Sequence, residues 1–389
     1  MRLLHTADWH VGRTIRGHSR ADEHRAVLRE IAGLAAEHDV DIVLVGGDQF
    51  DTAAPSAEAE QIVYQALLDL AATGAQVVLI AGNHDNPRRW GAIAPLLERN
   101  DVHAAAMVRR PEDGGVVVLP TRAGETAEVA LVPFISQRTI VKIEQLMALE
   151  AGHHASHYAE RCKLIIAKLA ERFTPEAVHL LLAHLTVTGG QPVLGGGERS
   201  VHTIFDYFVT PQAFPAAAHY VALGHLHLPH RIPAPAPLWY SGSPLSLDFG
   251  EAERSHKAVL LVDVAPDAPA QVREVPLTSG RHLRTVRGTL DEVVSRRADL
   301  DPDAYLRVVL DEPPQTGLAR TVRDELPQAV DVSISPLADS TGARSEPRDV
   351  HGSPQELFAR YLAEQGGGDE ALERMFARLL EEEHAADAP

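Results

Sequence analysis

At 389 residues, 45% hydrophobic and 23% charged, the chain has the composition of a globular protein of roughly two to three domains. No apolar run approaches the roughly 18 residues of a membrane span, the first residues lack a signal peptide's apolar core, and Cys162 alone excludes an internal disulfide framework, so a cytoplasmic protein without a membrane partner is expected. A net charge of −18, from 36 basic against 54 acidic residues, argues against a chain that grips nucleic acid by its own basic surface, unless bound metal or a partner protein offsets it.

Residues 2–6 read as a short apolar strand running into Thr6-Ala7-Asp8-Trp9-His10-Val11-Gly12. Asp8 and His10 lie two apart, so in an extended stretch they point the same way. Residues 21–38 carry a helical stripe of His24, Val27, Leu28, Ile31, Leu34 and Ala35. In Ile42-Val43-Leu44-Val45-Gly46-Gly47-Asp48, four apolar residues meet two glycines and a carboxylate. That is the pattern of a buried parallel strand ending in a tight turn, with Asp48 at the edge where open α/β sheets bind ligands. Pro55-Ser56 opens a second helix, with Ile62, Val63, Ala66, Leu67 and Leu70 on its buried face and Gly74 at its close. Val77-Val78-Leu79-Ile80 is a third strand; it ends in Ala81-Gly82-Asn83-His84-Asp85, and a helix follows Pro87. Right-handed crossovers put all three strand-end loops on one edge of one sheet.

Strands are expected near 102–107, 115–119 and 128–134, then helix over 138–172 with a break near Gly152. His153, His154 and His157 have no acidic partner at fixed spacing and read as surface residues. Residues 178–184 form a buried strand that His184 leaves; the glycine-rich stretch 189–197 lacks the Lys-Ser/Thr of a P-loop. Tyr220-Val221-Ala222-Leu223-Gly224 is a strand running into His225-Leu226-His227. Strands near 237–241, 257–264 and 271–277 complete a two-sheet α/β sandwich over residues 1–278. A small βαβαβ domain over 279–337 has strands at 282–288, 305–311 and 330–335. A polar linker, 338–353, leads to a helical tail, 354–389, hinged at Gly366-Gly367-Gly368. Its apolar stripe, with Leu357, Phe358, Leu372 and Phe376, either packs back on the body or docks on a partner.

Five strand ends together offer Asp8, His10, Asp48, Asn83, His184, His225 and His227. These are oxygen and imidazole donors with no thiolate, a set for Mn²⁺, Fe or Zn that leans towards Mn²⁺. Two cations about 3.5–4 Å apart need a bridging carboxylate. Asp48 is the natural bridge; one ion then takes Asp8, His10 and His227, the other Asn83, His184 and His225.

The motifs Asp8-x-His10, Gly47-Asp48-x-x-Asp51, Gly82-Asn83-His84-Asp85, the isolated His184 and Gly224-His225-x-His227 resemble the calcineurin-like metallophosphoesterase superfamily. Within it the chain is similar, nearly end to end, to nuclease subunits whose partner is an ATP-driven, SMC-like coiled-coil protein. Tyr240-Ser241-Gly242-Ser243-Pro244 and Asp248-Phe249-Gly250-Glu251 carry part of that likeness. It implies a DNA exo/endonuclease of repair, recombination and replication, nucleoid-associated, acting on double-stranded ends and hairpins. It further implies a capping role for 279–337, docking of the tail helices on the partner, and a homodimer through helices at 57–73 and 87–99.

His84, beside the ligand Asn83, is left to face substrate, stabilise developing charge and protonate the leaving oxygen. A carboxylate should orient it through its other nitrogen. Asp51 is the candidate; Asp85 is the alternative, with capping of the next helix its expected role. Arg13, Arg16, Arg88 and Arg89 flank these motifs as phosphate contacts or as plain surface charges. Two competing functions are disfavoured. For a protein or small-substrate phosphatase, Thr52-Ala53 follows Asp51 instead of the Arg-Gly typical of the protein phosphatases and the C-terminal domains go unexplained, and a catalytically silent DNA-end scaffold would have lost ligand positions.

Overall fold

The apolar runs Arg2–Thr6, Ile42–Val45, Gln76–Ile80 and Val102–Ala105 lie side by side and parallel in the computed structural model. Ala258–Ala265 pairs antiparallel with the first of them and Ala268–Pro276 with Ala258–Ala265, completing a six-stranded sheet. The second six-stranded sheet runs in the order His230–Ile232, Leu238–Tyr240, Tyr220–Gly224, Val178–His184, Thr126–Val132, Val116–Pro120. The structure describes residues 1–122, 124–136, 139–140, 158–191, 208–254 and 256–335, with positions 362, 372, 375 and 376. His153, His154, His157, most of the stretch 189–197, the linker and nearly all of the tail lie outside the described residues. Leu362, Leu372, Met375 and Phe376 are helical.

Strand Ile42–Val45 is apolar throughout because both of its faces are covered. Ile42 and Leu44 point into the core between the sheets with Leu180, Leu182 and Tyr220. Val43 and Val45 point the other way, against helices Ala21–Glu37 and Ala57–Ala72. The outer face of the second sheet is covered by helix Tyr158–Ala170 through Cys162, Ile165, Ile166 and Leu169. The two-sheet α/β sandwich is therefore present, with the additional strand His230–Ile232 that the sequence pattern did not mark.

A third sheet of three parallel strands, Leu283–Gly288, Tyr305–Leu310 and Ala329–Ile334, forms a βαβαβ unit with helices Leu290–Ser295 and Leu318–Glu325. It has its own core around Val293, Leu306, Val308 and Val322. The chain divides into two compact units, Met1–Ser335 and Pro336–Pro389, and the βαβαβ sheet belongs to the first.

The two large sheets meet closely where Gly46 faces Gly224. A Cβ on Gly224 would overlap the carbonyl oxygen of Gly46 and lie 3.1 Å from the Cβ of Ala7. That approach brings the donors of one sheet within reach of those of the other. Gly224→Ala is expected to cost about 3 kcal/mol, because backbone cannot yield as a side chain can. A thermal melt reads this directly, and an unchanged midpoint would mean that the sheets part without penalty.

Candidate metal centre

The loops at the shared edge hold their polar residues in a conformation that side chains rarely adopt. Asp8 (φ 53°), His10 (φ 47°), Asp48 (φ 51°) and His225 (φ 103°) all lie at positive φ. Such residues cost of order 1–3 kcal/mol each and persist where surrounding structure enforces them. Here the enforcement is a ladder between loops: Asp8 N donates to Gly47 O and His10 N to Asp48 O, both at 3.0 Å. His24 supports the same loop from the first helix, its Nε2 donating to Trp9 O at 3.1 Å.

Every residue expected to carry the chemistry reaches this edge. The ligand atoms form three overlapping groups: Asp8, His10 and His227; His10, Asp48 and His84; Asp48, His184 and His225. Within each group all ligand atoms lie within 4.8 Å of one another. Asn83 joins the last group, its Oδ1 being 3.0 Å from His184 Nε2 and 2.9 Å from His225 Nδ1.

The partners behind the rings fix which nitrogen faces the centre. His184 Nδ1 donates to the carbonyl of Gly46 at 2.7 Å, so Nε2 points at Asp48 and Asn83. His227 Nδ1 donates to the Glu251 carboxylate at 2.8 Å, so Nε2 faces inward. His84 Nδ1 donates to the carbonyl of Asp51 at 2.7 Å, and its backbone N–H donates to Asp48 Oδ1 at 2.8 Å.

Asp51 thus touches His84 through its main chain. Its carboxylate lies 3.3 Å from His10 Nδ1 and 3.4 Å from Arg13. The expectation that this carboxylate orients His84 is corrected: three residues past Asp48, the side chain has turned towards the neighbouring loop and the carbonyl takes the role. Asp85 does not cap the following helix either. Asn86 does, accepting from Arg88 N and Arg89 N at 3.0 and 3.4 Å. Asp85 is buried and ties two loops together through Gly82 N (2.8 Å) and Phe50 N (3.1 Å). Arg16 is engaged by Asp331 and Arg89 by Glu60, while Arg88 is exposed.

Glu251 is the functional residue that sequence reasoning missed. It lies 24 residues from His227 on a four-residue helix, so no spacing connects the two. The only signal was an acidic residue inside Asp248-Phe249-Gly250-Glu251, where a local reading sees a capped turn.

Charge at the edge is tightly balanced. Burial pushes the Asp8 carboxyl up to about 7, and the Asp48 charge adds to that. Burial opposes ionisation of Asp48 too, but His184, His84 and His10 hold it well below the usual carboxylate range. Burial lowers His184, yet Asp48 beside it brings it up to about 9. His10 Nε2 and Asn83 Nδ2 are buried with no hydrogen-bond partner among the described residues. Two buried carboxylates, convergent imidazole lone pairs and an amide oxygen call for positive charge, and hard divalent cations fit that donor set.

The apposed sheets and their shared donor edge suit a metal-dependent phosphoester hydrolase, the class to which the sequence comparisons assign the chain. The chain belongs to the calcineurin-like phosphoesterase family, whose model matches residues 1–229. Within that family its relatives include D subunits of SbcCD nucleases. It is 33% identical over 404 residues to the D component of the SbcCD nuclease from Bacillus subtilis strain 168, covering 99% of this chain and 100% of that protein. The Rhodobacter capsulatus protein of the same name is 32% identical over 92% of this chain and 94% of its own length. For that of Escherichia coli K12 the figures are 30%, 87% and 82%. Among the described residues, no helix is long and apolar enough to cross a membrane.

The corrected position of Asp51 changes what its substitution does. Asp51→Asn is expected to weaken one cation about 10-fold, through the lost support of His10, and to leave His84 in place. Calorimetric Mn²⁺ titration measures this. A cleavage defect with unaltered ion binding would return the carboxylate to His84.

Proposed function

We propose that the chain is the nuclease component of a two-protein machine: a two-metal DNA exo/endonuclease, using Mn²⁺, that cuts double-stranded ends and hairpins in repair and recombination. Its partner is an SbcC-like, SMC-type ATPase, engaged by the C-terminal helices of residues 354–389. The observation that carries the reading is the placement of His84. Its ring centroid is 4.7 Å from that of His10, its Nδ1 is committed to a carbonyl, and its Nε2 is left for a substrate beside the donors. The similarity over 99% of the chain to the D component of an SbcCD nuclease supports it.

Two cations, when bound, neutralise the scissile phosphate and acidify a water for attack on phosphorus. The chain's own residues do the rest. Asp48 lies in a donor group with His184 and His225 and in another with His10, which in turn links it to Asp8 and His227. Asp8, His10 and His227 serve one ion, Asn83, His184 and His225 the other. His84 Nε2 carries the proton for the leaving ribose oxygen, and the Asp51 carbonyl steadies the charged ring. Residues 279–337 act as the capping domain and 338–353 as the linker to the docking tail. A homodimer through the helices at 57–73 and 87–99, where Leu68 (38%) and Leu96 (63%) are exposed, is part of the proposal.

A cleavage assay on linear duplex and hairpin DNA, with Mn²⁺ and with or without the partner and ATP, tests the proposal. Cut DNA is expected. Hydrolysis of a model phosphodiester without DNA cleavage, even with partner and ATP, would overturn it.

A further inference from the structure

Glu251 sits on the short helix Phe249–Ala252, fully buried. One carboxylate oxygen accepts a hydrogen bond from His227 Nδ1 at 2.8 Å; the other accepts from Leu247 N (2.8 Å) and Lys257 Nζ (3.1 Å). Lys257 also donates to Ser243 Oγ (2.9 Å) and to the carbonyl of His227 (3.2 Å), so it fastens the ligand's main chain and the carboxylate behind its ring. Burial works against the charge on Glu251, but Lys257 and His227 hold its carboxyl down at about 2.

The same helix is held from its other side by the three-stranded sheet. Phe249 packs with Leu283 and Tyr305 of that sheet and with Ile15 of the loop that follows His10. The Arg307 guanidinium lies 4.5 Å over the Phe249 ring and 3.7 Å from the Asp248 carboxylate that caps the helix. Arg307 also bonds Asp331 at 3.2 Å, and Asp331 takes Arg16, from the His10 loop, at 2.9 Å. The sheet therefore grips both segments that stand behind His227 and His10, and those belong to one donor group.

We infer that Glu251 is a positioning residue for His227, and that Arg307 couples the seating of the three-stranded sheet to the Asp8–His10–His227 metal position, which rests on the metal centre proposed above. Arg307 touches no ligand; it acts by holding the helix that carries Glu251. A shift of that sheet changes the affinity of one ion and spares the other.

Mn²⁺ titration of the full chain by calorimetry, with paramagnetic resonance to count bound ions, tests it. Glu251→Gln should weaken one ion about 10- to 100-fold and leave the other unchanged. Arg307→Ala should weaken the same ion roughly 3- to 10-fold, as a residue acting through a network does, with the helical circular dichroism intact. Arg284→Ala, an exposed change on the same sheet, should alter neither. Asn83→Ala marks the second ion: in that background Glu251→Gln should weaken the ion that remains. Arg307→Ala with wild-type affinity for both ions overturns the coupling, and Glu251→Gln with wild-type affinity overturns the positioning role. A wild-type chain that binds no divalent ion would instead overturn the metal centre itself.

Discussion

Asp48→Asn is expected to release both cations and to lower cleavage about 10⁴-fold, the loss that follows when several kcal/mol of charge stabilisation disappears. Asp48 is the carboxylate shared by the His10–His84 and His184–His225 donor groups. Asparagine keeps the shape and the Oδ1 that accepts from His84 N, so the loops have no reason to move. What disappears is the negative charge to which His10, at 3.7 Å, and His184, at 3.4 Å, are both turned. A ligand that binds only the folded state raises the melting midpoint in proportion to its affinity. Added Mn²⁺ should therefore raise the wild-type midpoint and leave that of Asp48→Asn where it was. A variant that still binds two ions would show that the bridge is another residue.

The left-handed turn that aims Asp48, at φ 51°, was not legible in the sequence. The residue itself could be found there because its strand is short, apolar and closed by two glycines, which puts the next polar residue at the sheet edge. The same held for Asp8, His84, His184 and His225, each placed at a strand end or just past it. The pattern is silent where contact depends on how a loop turns. Asp51 sits at the anticipated distance along the chain from Asp48, yet its backbone presents the carbonyl to His84 and its side chain to His10. Asp85 and Asn86 are both able to cap a helix, and one residue of difference in the start of Pro87–Leu97 decided between them. Glu251 was hidden for a different reason. It meets His227 across the fold, and its buried charge is stable only because Lys257 arrives from the next strand segment. His24 was legible as part of the first helix's stripe, but its partner, the Trp9 carbonyl, was not, and neither was the pairing of His5 with Tyr220.

His84→Ala should slow cleavage of DNA by about 10²- to 10⁴-fold while both ions stay bound, which separates the acid from the ligands. The structure gives the reason for the second half of that statement. His84 touches Asp48 through its backbone N–H, which alanine retains, and its ring is held by a carbonyl rather than by a ligand carboxylate. The size of the first half depends on the leaving group. A ribose oxygen leaves as a poor alkoxide unless it is protonated, whereas p-nitrophenolate leaves without a proton. The variant's defect should therefore shrink at least about 10-fold on a p-nitrophenyl phosphodiester relative to DNA, as expected when the missing group is a general acid. Equal losses on both substrates would mean that His84 stabilises charge on the phosphoryl oxygens instead. The proton it carries would then have no part in departure of the ribose. Calorimetric ion counts on the same preparations separate the two causes, because a defect that came with a lost ion would belong to the metal centre and not to His84.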